Sequence, residues 1–207
     1  MEGLVAQLQA EALDQSISVC NLLRKVKVAA VKLGLSDTVE WADSELRGYT
    51  KDVPTYRMVT GQCKAFDPYR GWTVVSGKAE IIAALSQRAI GQAISSLEDV
   101  VSGGSDNLSI TVAPSIAEGI ISSNPGCQDV ALFLSRGSIV AIVDHVRNMV
   151  LDWALDLERA GIRGEGLAFS ATEQKRAEAA PLNIQIDGAN ARLNFGSIDN
   201  STNAVSD

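Results

Sequence analysis

The sequence is poor in the residues on which most enzyme sites are built. It has one histidine, His145, and three cysteines, Cys20, Cys63 and Cys127, none close to another. That spacing excludes a zinc knuckle, and an odd cysteine count without a framework of pairs suits a reducing cytosol. No apolar run approaches the roughly 20 residues that span a bilayer. The N-terminal MEGLVAQLQAEALDQ has an early glutamate and no basic n-region, so it does not read as a signal peptide. Positive charge is in deficit, with 18 Lys and Arg against 25 Asp and Glu, a net of −7. That balance and the lack of a long basic stripe weigh against nucleic acid as a partner while leaving a local patch open. HExxH, paired CxxC, GxxxxGKS and GxSxG patterns are absent, and no residue set calls for a metal or a cofactor. The expectation is a cytoplasmic protein that does not enter the membrane.

What is present is helical periodicity. At 207 residues and 46% hydrophobic content, the chain can build one full core and a small appendage. Leu4, Val5, Leu8, Ala12 and Leu13 recur at helical spacing. Ser18 can start a second helix whose apolar positions are Val19, Leu22, Leu23, Val26, Ala30 and Val31. Its wet side carries Arg24, Lys25, Lys27 and Lys32, a candidate surface for an acidic partner, and Gly34 closes it. Ser36 or Asp37 can cap a third helix with Val39, Ala42 and Leu46 on one face and Trp41 beside it. Residues 78–101 read as one long helix weakened at Gly91. Residues 135–160 carry the clearest stripe, from Ile139 through Val146 and Trp153 to Leu157, capped by Ser135 and stopped by Gly161. Ser170 and Glu173 form a capping-box pattern.

Between and after these helices the pattern changes. Residues 50–76 contain prolines, glycines and short β-prone pieces at Tyr56–Val59 and Trp72–Val75, and LSITVAP reads as a further extended piece. The tail alternates Ile184 and Ile186, then Leu193 and Phe195, around the Asp187-Gly188 turn signal. It fits a hairpin or a small β-coil, and two strands alone are marginal without the body or another copy. The expected fold is mainly α (α+β): an amphipathic helical bundle, a short β-rich connector and a short β hairpin or β-coil tail. The expected division is a three-helix unit over 1–49, a connector over 50–77, a helical body over 78–180 and a tail over 181–207. Ile184, Ile186, Leu193 and Phe195 are candidate contacts between copies.

Candidate chemistry gathers in SELRGYTKDVPTYR. Arg57 can position a phosphate, with Glu45 as base or ligand, Tyr56 beside it and Trp72 near. His145 with Asp144 is a second candidate, although chain neighbours on a helix do not face each other. The architectural reading of the same string is equally concrete. Gly48 lets the third helix end, Pro54 stiffens the corner, and Tyr49 and Tyr56 lay rings on the helices. Arg57 then bridges Glu45 or a backbone carbonyl. Glu40, Asp43 and Glu45, and likewise Asp152, Asp156 and Glu158, read as carboxylates on solvated faces.

The run LLRKVKVAAVKLGLSDTVEWADSELRGYTKDVPTYRMVTGQ resembles the AbiTii domain family of bacterial abortive-infection-associated proteins. The positions carrying the resemblance are Lys32, Leu33, Gly34, Trp41, Glu45, Leu46, Gly48, Tyr49, Pro54, Tyr56 and Arg57. A second block, VDHVRNMVLDWALDLERAGIRGEGLAFSATEQKRA, adds Val146, Arg147, Trp153, Leu157, Glu158, Gly161, Ile162, Gly164, Phe169 and Glu173. The Asn- and Gly-rich tail is also similar to the ends of such proteins. The resemblance implies a role in defence against phage and supplies no catalytic set. Three readings stay open: a self-associating adaptor with defence-system partner proteins, a toxic enzyme or nucleic-acid-directed effector using Glu45, Tyr56 and Arg57, and a scaffold for a separate effector.

Overall fold

The computed structural model describes residues 3–75, 79–104 and 107–180, together with Ile184. Three helices come first: α1 (Leu4–Leu13), α2 (Val19–Leu33) and α3 (Ser36–Arg47). The Ser18 hydroxyl accepts the Asn21 N–H at 3.2 Å and opens α2. Gly34 ends it in the left-handed conformation, φ +75°. Glu98, from a later helix, accepts the Val19 N–H at 2.5 Å and so puts a negative charge at the positive end of α2. The cap of α3 differs from the sequence reading. Leu35 holds the N-cap position with no side-chain bond, and the Ser36 hydroxyl turns to Asp37 instead. The buried face of α3 is also rotated, to Thr38, Trp41, Ala42 and Glu45, because a partner for Glu45 arrives from the corner that follows.

After α3, a 3-10 turn (Thr55–Arg57) leads into β1 (Met58–Thr60), β2 (Gln62–Asp67) and β3 (Gly71–Val74). Then come α4 (Ala79–Ser86), β4 (Gln87–Ala89), α5 (Ile94–Ser102), β5 (Asn107–Thr111), α6 (Pro114–Ser123) and β6 (Asp129–Ser135). Helices α7 (Arg136–Arg159) and α8 (Ala171–Ala179) complete the order. Strands β1 and β4 pair antiparallel, and a second antiparallel sheet runs β3-β2-β6-β5. The architecture is therefore mixed α+β. Residues 78–180 are not a purely helical body, since β5 and β6 lie within them and β6 pairs with β2 of the connector. The long helix read over 78–101 is two helices separated by β4 and the Ile90–Ala93 stretch, and the reason lies in the corner described below.

One continuous hydrophobic core joins these parts, with Trp41, Leu22, Leu23, Ile142, Trp153 and Leu157 among its fully buried members. Helix α7 follows its sequence pattern. The Ser135 hydroxyl accepts the Ser138 N–H at 3.2 Å, the apolar stripe is buried, and Gly161 takes φ +72° just past the end. Arg147 on α7 reaches back to the α1–α2 corner and donates to the Asp14 and Ile17 carbonyls at 3.0 and 2.5 Å. The basic side of α2 is largely committed within the chain: Lys25 pairs with Glu11, Lys27 with Asp43 at 2.5 Å, and Lys32 with the Leu167 carbonyl. Ile184, a proposed contact between copies, is 3% exposed in this chain's own core, and its N–H donates to the Thr38 hydroxyl at 3.1 Å. Ile186, Leu193 and Phe195, and the hairpin or coil read from them, lie outside the described residues.

The capping box of α8 does more than start a helix. Glu173 accepts the Ser170 N–H and hydroxyl at 2.8 Å each, and also the Arg163 and Gly164 N–H groups at 2.8 Å each. One carboxylate thus ties α8 to the loop leaving α7. Burial acts to raise its pKa, but the four donors prevail and hold it at about 2, below the ordinary 4.5. Since the folded value is depressed, the stabilisation is complete above pH 4.5 and is lost as pH falls towards 2. Glu173→Gln should therefore unfold at lower urea than wild type near neutrality, and the gap should close across that acid window. A gap independent of pH would contradict the clamp.

Candidate functional site

The corner between α3 and β1 is built around two glycines. Gly48 leaves α3 with φ +89°, and a Cβ there would stand 2.7 Å from the Gly91 carbonyl oxygen. A Cβ on Gly91 would stand 2.6 Å from the Tyr49 carbonyl oxygen. Both positions need glycine because two backbone segments cross in contact, sealed by the Tyr49 N–H donating to the Gly91 carbonyl at 2.7 Å. Pro54, buried and with φ −60°, then sets the 3-10 turn that swings Arg57 inward.

Arg57 and Glu45 meet there with 0% exposure each. The Arg57 Nε donates to Glu45 Oε1 at 3.0 Å and Nη2 to Oε2, a two-pronged pairing. Nη1 donates to the Ile90 and Gln92 carbonyls at 3.0 and 2.8 Å. Glu45 Oε1 also accepts the Tyr49 and Tyr56 hydroxyls at 2.8 and 2.6 Å. The Trp41 indole donates to the Tyr56 oxygen at 3.0 Å, and the guanidinium sits 5.0 Å from the Tyr49 ring centre. Glu40, Asp43 and Glu45 were read as one solvated set. Glu45 leaves that set because its helix face points at the corner.

The electrostatics follow from this packing. Burial alone would lower the Arg57 pKa, but the hydrogen bonds and charge of Glu45 more than reverse that and raise it. Burial, and then the negative charge of Glu45, push both tyrosine hydroxyls well above their ordinary value. Arg57 thus keeps its charge against Glu45, beneath two phenols that stay neutral. Two open grooves border the corner, of about 770 and about 410 Å³; Tyr49 lines both, and neither Glu45 nor Arg57 lines either.

The other candidates do not converge on this centre as a reactive set. His145 is exposed on α7 and stacks on the Tyr56 ring, centroids 4.6 Å apart, while Asp144 is exposed beside it in the chain. Burial of part of the imidazole lowers its pKa, opposed by the charges of Glu45 and Asp152. Trp72 lies on β3 and belongs to a different surface. On α7, Asp156 pairs with Arg159 at 2.5 Å, and burial raises its carboxyl. Among the described residues, no group of three or more His, Cys, Asp or Glu side chains could hold a metal, and no helix is long and apolar enough to cross a membrane. Of the signature positions, Trp41, Pro54 and Trp153 are buried and Leu46 and Tyr49 half-buried. Sequence reasoning missed the Ile90, Gly91 and Gln92 backbone. Its only signal was a glycine in the middle of a helical pattern.

The raised phenols give a test with a definite sign. An unfolded tyrosine ionises near pH ~10, and the folded values lie above this, so the stabilisation is complete below ~10 and is lost as pH rises further. In an alkaline titration the phenolate absorbance of Tyr49 and Tyr56 should appear only with cooperative unfolding. Their smooth ionisation in a folded chain would contradict the described packing.

Comparison with known proteins gives one family. No curated protein matches the chain, and no solved structure does. The AbiTii family model matches residues 3–181 of the 207, which covers every helix and strand described above. The chain belongs to the AbiTii family.

Proposed function

We propose that this chain is a non-enzymatic assembling or adaptor component of a bacterial anti-phage, abortive-infection defence system, and that it acts in the cytoplasm as a homo-oligomer with partner proteins. The family name suggests abortive infection. The observation that carries the non-enzymatic reading is the burial and internal pairing of the Glu45–Arg57 centre. A catalytic base or a phosphate-binding guanidinium must meet its substrate, and here each group is 0% exposed and spends its hydrogen bonds inside the fold. The effector alternative would have to open this corner, leaving a buried ion pair broken at a cost of about 3–5 kcal/mol. Exposed apolar side chains are available for contacts, including Val28 and Val31 on α2 and Leu13 at the end of α1.

On this reading the tail contributes to assembly through Ile186, Leu193 and Phe195. Because Ile184 is a core residue of its own chain, the informative truncation removes 186–207 and leaves Ile184 in place. The truncated chain should fold with unchanged thermal stability and show a lower native mass by light scattering. Cells carrying it with its genomic neighbours should lose protection against phage in a plating assay. A native mass equal to that of the full chain would sink the tail model. Lost protection at unchanged mass would favour an effector activity.

A further inference from the structure

The four-stranded sheet carries chemistry on its outer face that the core does not use. Strand alternation sends Cys63, Ala65, Val130, Leu132 and Leu134 inward to the core. The residues between them face outward, and the register sets Phe66 opposite Trp72, and Lys64 opposite Val74. The Phe66 and Trp72 ring centres are 5.4 Å apart, and Trp72 meets Phe133 of β6 edge-on at 5.0 Å. Lys64 Nζ stands 4.7 Å from the centre of the Phe133 ring. None of these three aromatics belongs to the core cluster, in a chain with only ten Phe, Trp and Tyr residues. The β2–β3 turn adds Tyr69, 99% exposed, and Arg70. Asp67 fixes that turn by accepting the Tyr69 and Arg70 N–H groups at 2.7 and 3.1 Å.

The face also carries positive charge that is not spent within the fold, unlike Lys25, Lys27, Arg57 and Arg159, which meet carboxylates, and Arg136 and Arg147, which meet carbonyls. Lys64 and Arg70 have no carboxylate at ion-pair distance among the described residues. The acids nearby are turned to backbone amides, Asp67 as above and Asp129 towards the Val130 N–H at 2.7 Å. A protein partner would have to cover Lys64 in the middle of the aromatic patch, and interface cores are depleted of lysine. A nucleic acid strand brings a phosphate to each cation and a flat base to each ring.

The geometry points to a binding site for single-stranded nucleic acid on this face, with Trp72 and Tyr69 stacking unpaired bases and Lys64 and Arg70 contacting phosphates. Exposed aromatics on a sheet flanked by cations suit this ligand because every unpaired base offers a π-face, so stacking requires no particular sequence. The net charge of −7 opposes long-range capture, so binding rests on these local contacts.

The fold supplies its own probe. Trp72 is 39% exposed, whereas Trp41 and Trp153 are 2% and 1% exposed, so quenching of tryptophan fluorescence by iodide reports mainly on this face. The full chain is titrated at low salt with an oligothymidylate of about 16 nucleotides, long enough for one sheet-type site. The strand should change Trp72 emission, protect it from iodide, and bind more weakly as salt rises. Tyr69→Ala and Arg70→Ala, both at exposed positions, should each weaken binding about tenfold with the native fold retained. Absence of quenching or protection at low salt would overturn the proposal. So would equal binding by a duplex of the same length, whose bases are already stacked. Protection that grows with protein concentration alone, together with native mass, would assign the face to a second copy and overturn it as well.

Discussion

The Arg57 guanidinium has no access to water, and a buried cation must be given an anion and enough acceptors or the fold fails. Glu45 supplies the anion, and two carbonyls, those of Ile90 and Gln92, accept from Nη1. That requirement reaches far along the chain. In a continuous helix, the Ile90 and Gln92 carbonyls would accept from the N–H groups of Ile94 and Ser96. Here no helix runs through them, and both accept from Arg57 instead. Helix α4 stops, the chain runs extended through β4, which pairs with β1, and α5 begins after Ala93. The Gly48–Gly91 crossing then lets α3 and this extended stretch approach closely enough for the pair to form.

The sequence patterns that proved readable were those settled locally. Ser18 and Gly34 bound α2, Ser135 and the Ile139–Leu157 stripe define α7, and Ser170 with Glu173 starts α8, because caps and helical periodicity act within a few residues. The unreadable parts were set by partners distant in the chain. Residues 78–101 have good helical spacing throughout, and the break falls where β4 pairs with β1 and where the Ile90 carbonyl meets Arg57, more than thirty residues earlier. Strand β6 was hidden for another reason. DVALFLS runs straight into α7, its last residue Ser135 serving as the helix cap, so no turn residue marks its end, and its pairing with β2 spans more than sixty residues. At the candidate site, Glu45, Tyr56 and Arg57 were readable as a group, but their burial was not. That burial depends on the Ile90–Gln92 backbone, which side-chain patterns do not reveal.

The charged and aromatic residues most characteristic of the corner are thus occupied in holding α3, β1 and the start of α5 together. What remains available to other molecules is surface: the apolar positions of α2, the grooves beside Tyr49, and the outer sheet face with Trp72, Tyr69, Lys64 and Arg70. In the proposed defence role, that division assigns stability to the polar centre and recognition to the exterior. It also separates the two kinds of variant. Substitutions in the centre should act through folding, and substitutions on the surface through contacts.

The coupling between Glu45 and Arg57 tests this account most directly, measured as a double-mutant cycle by urea unfolding with Glu45→Leu, Arg57→Met and both together. Each single change strands a buried charge and should cost about 3–5 kcal/mol. The double variant, which removes both charges, should cost no more than either single one, a coupling of several kcal/mol. Single costs below about 1 kcal/mol that simply add, as for a surface pair, would contradict the claim that this ion pair holds the fold.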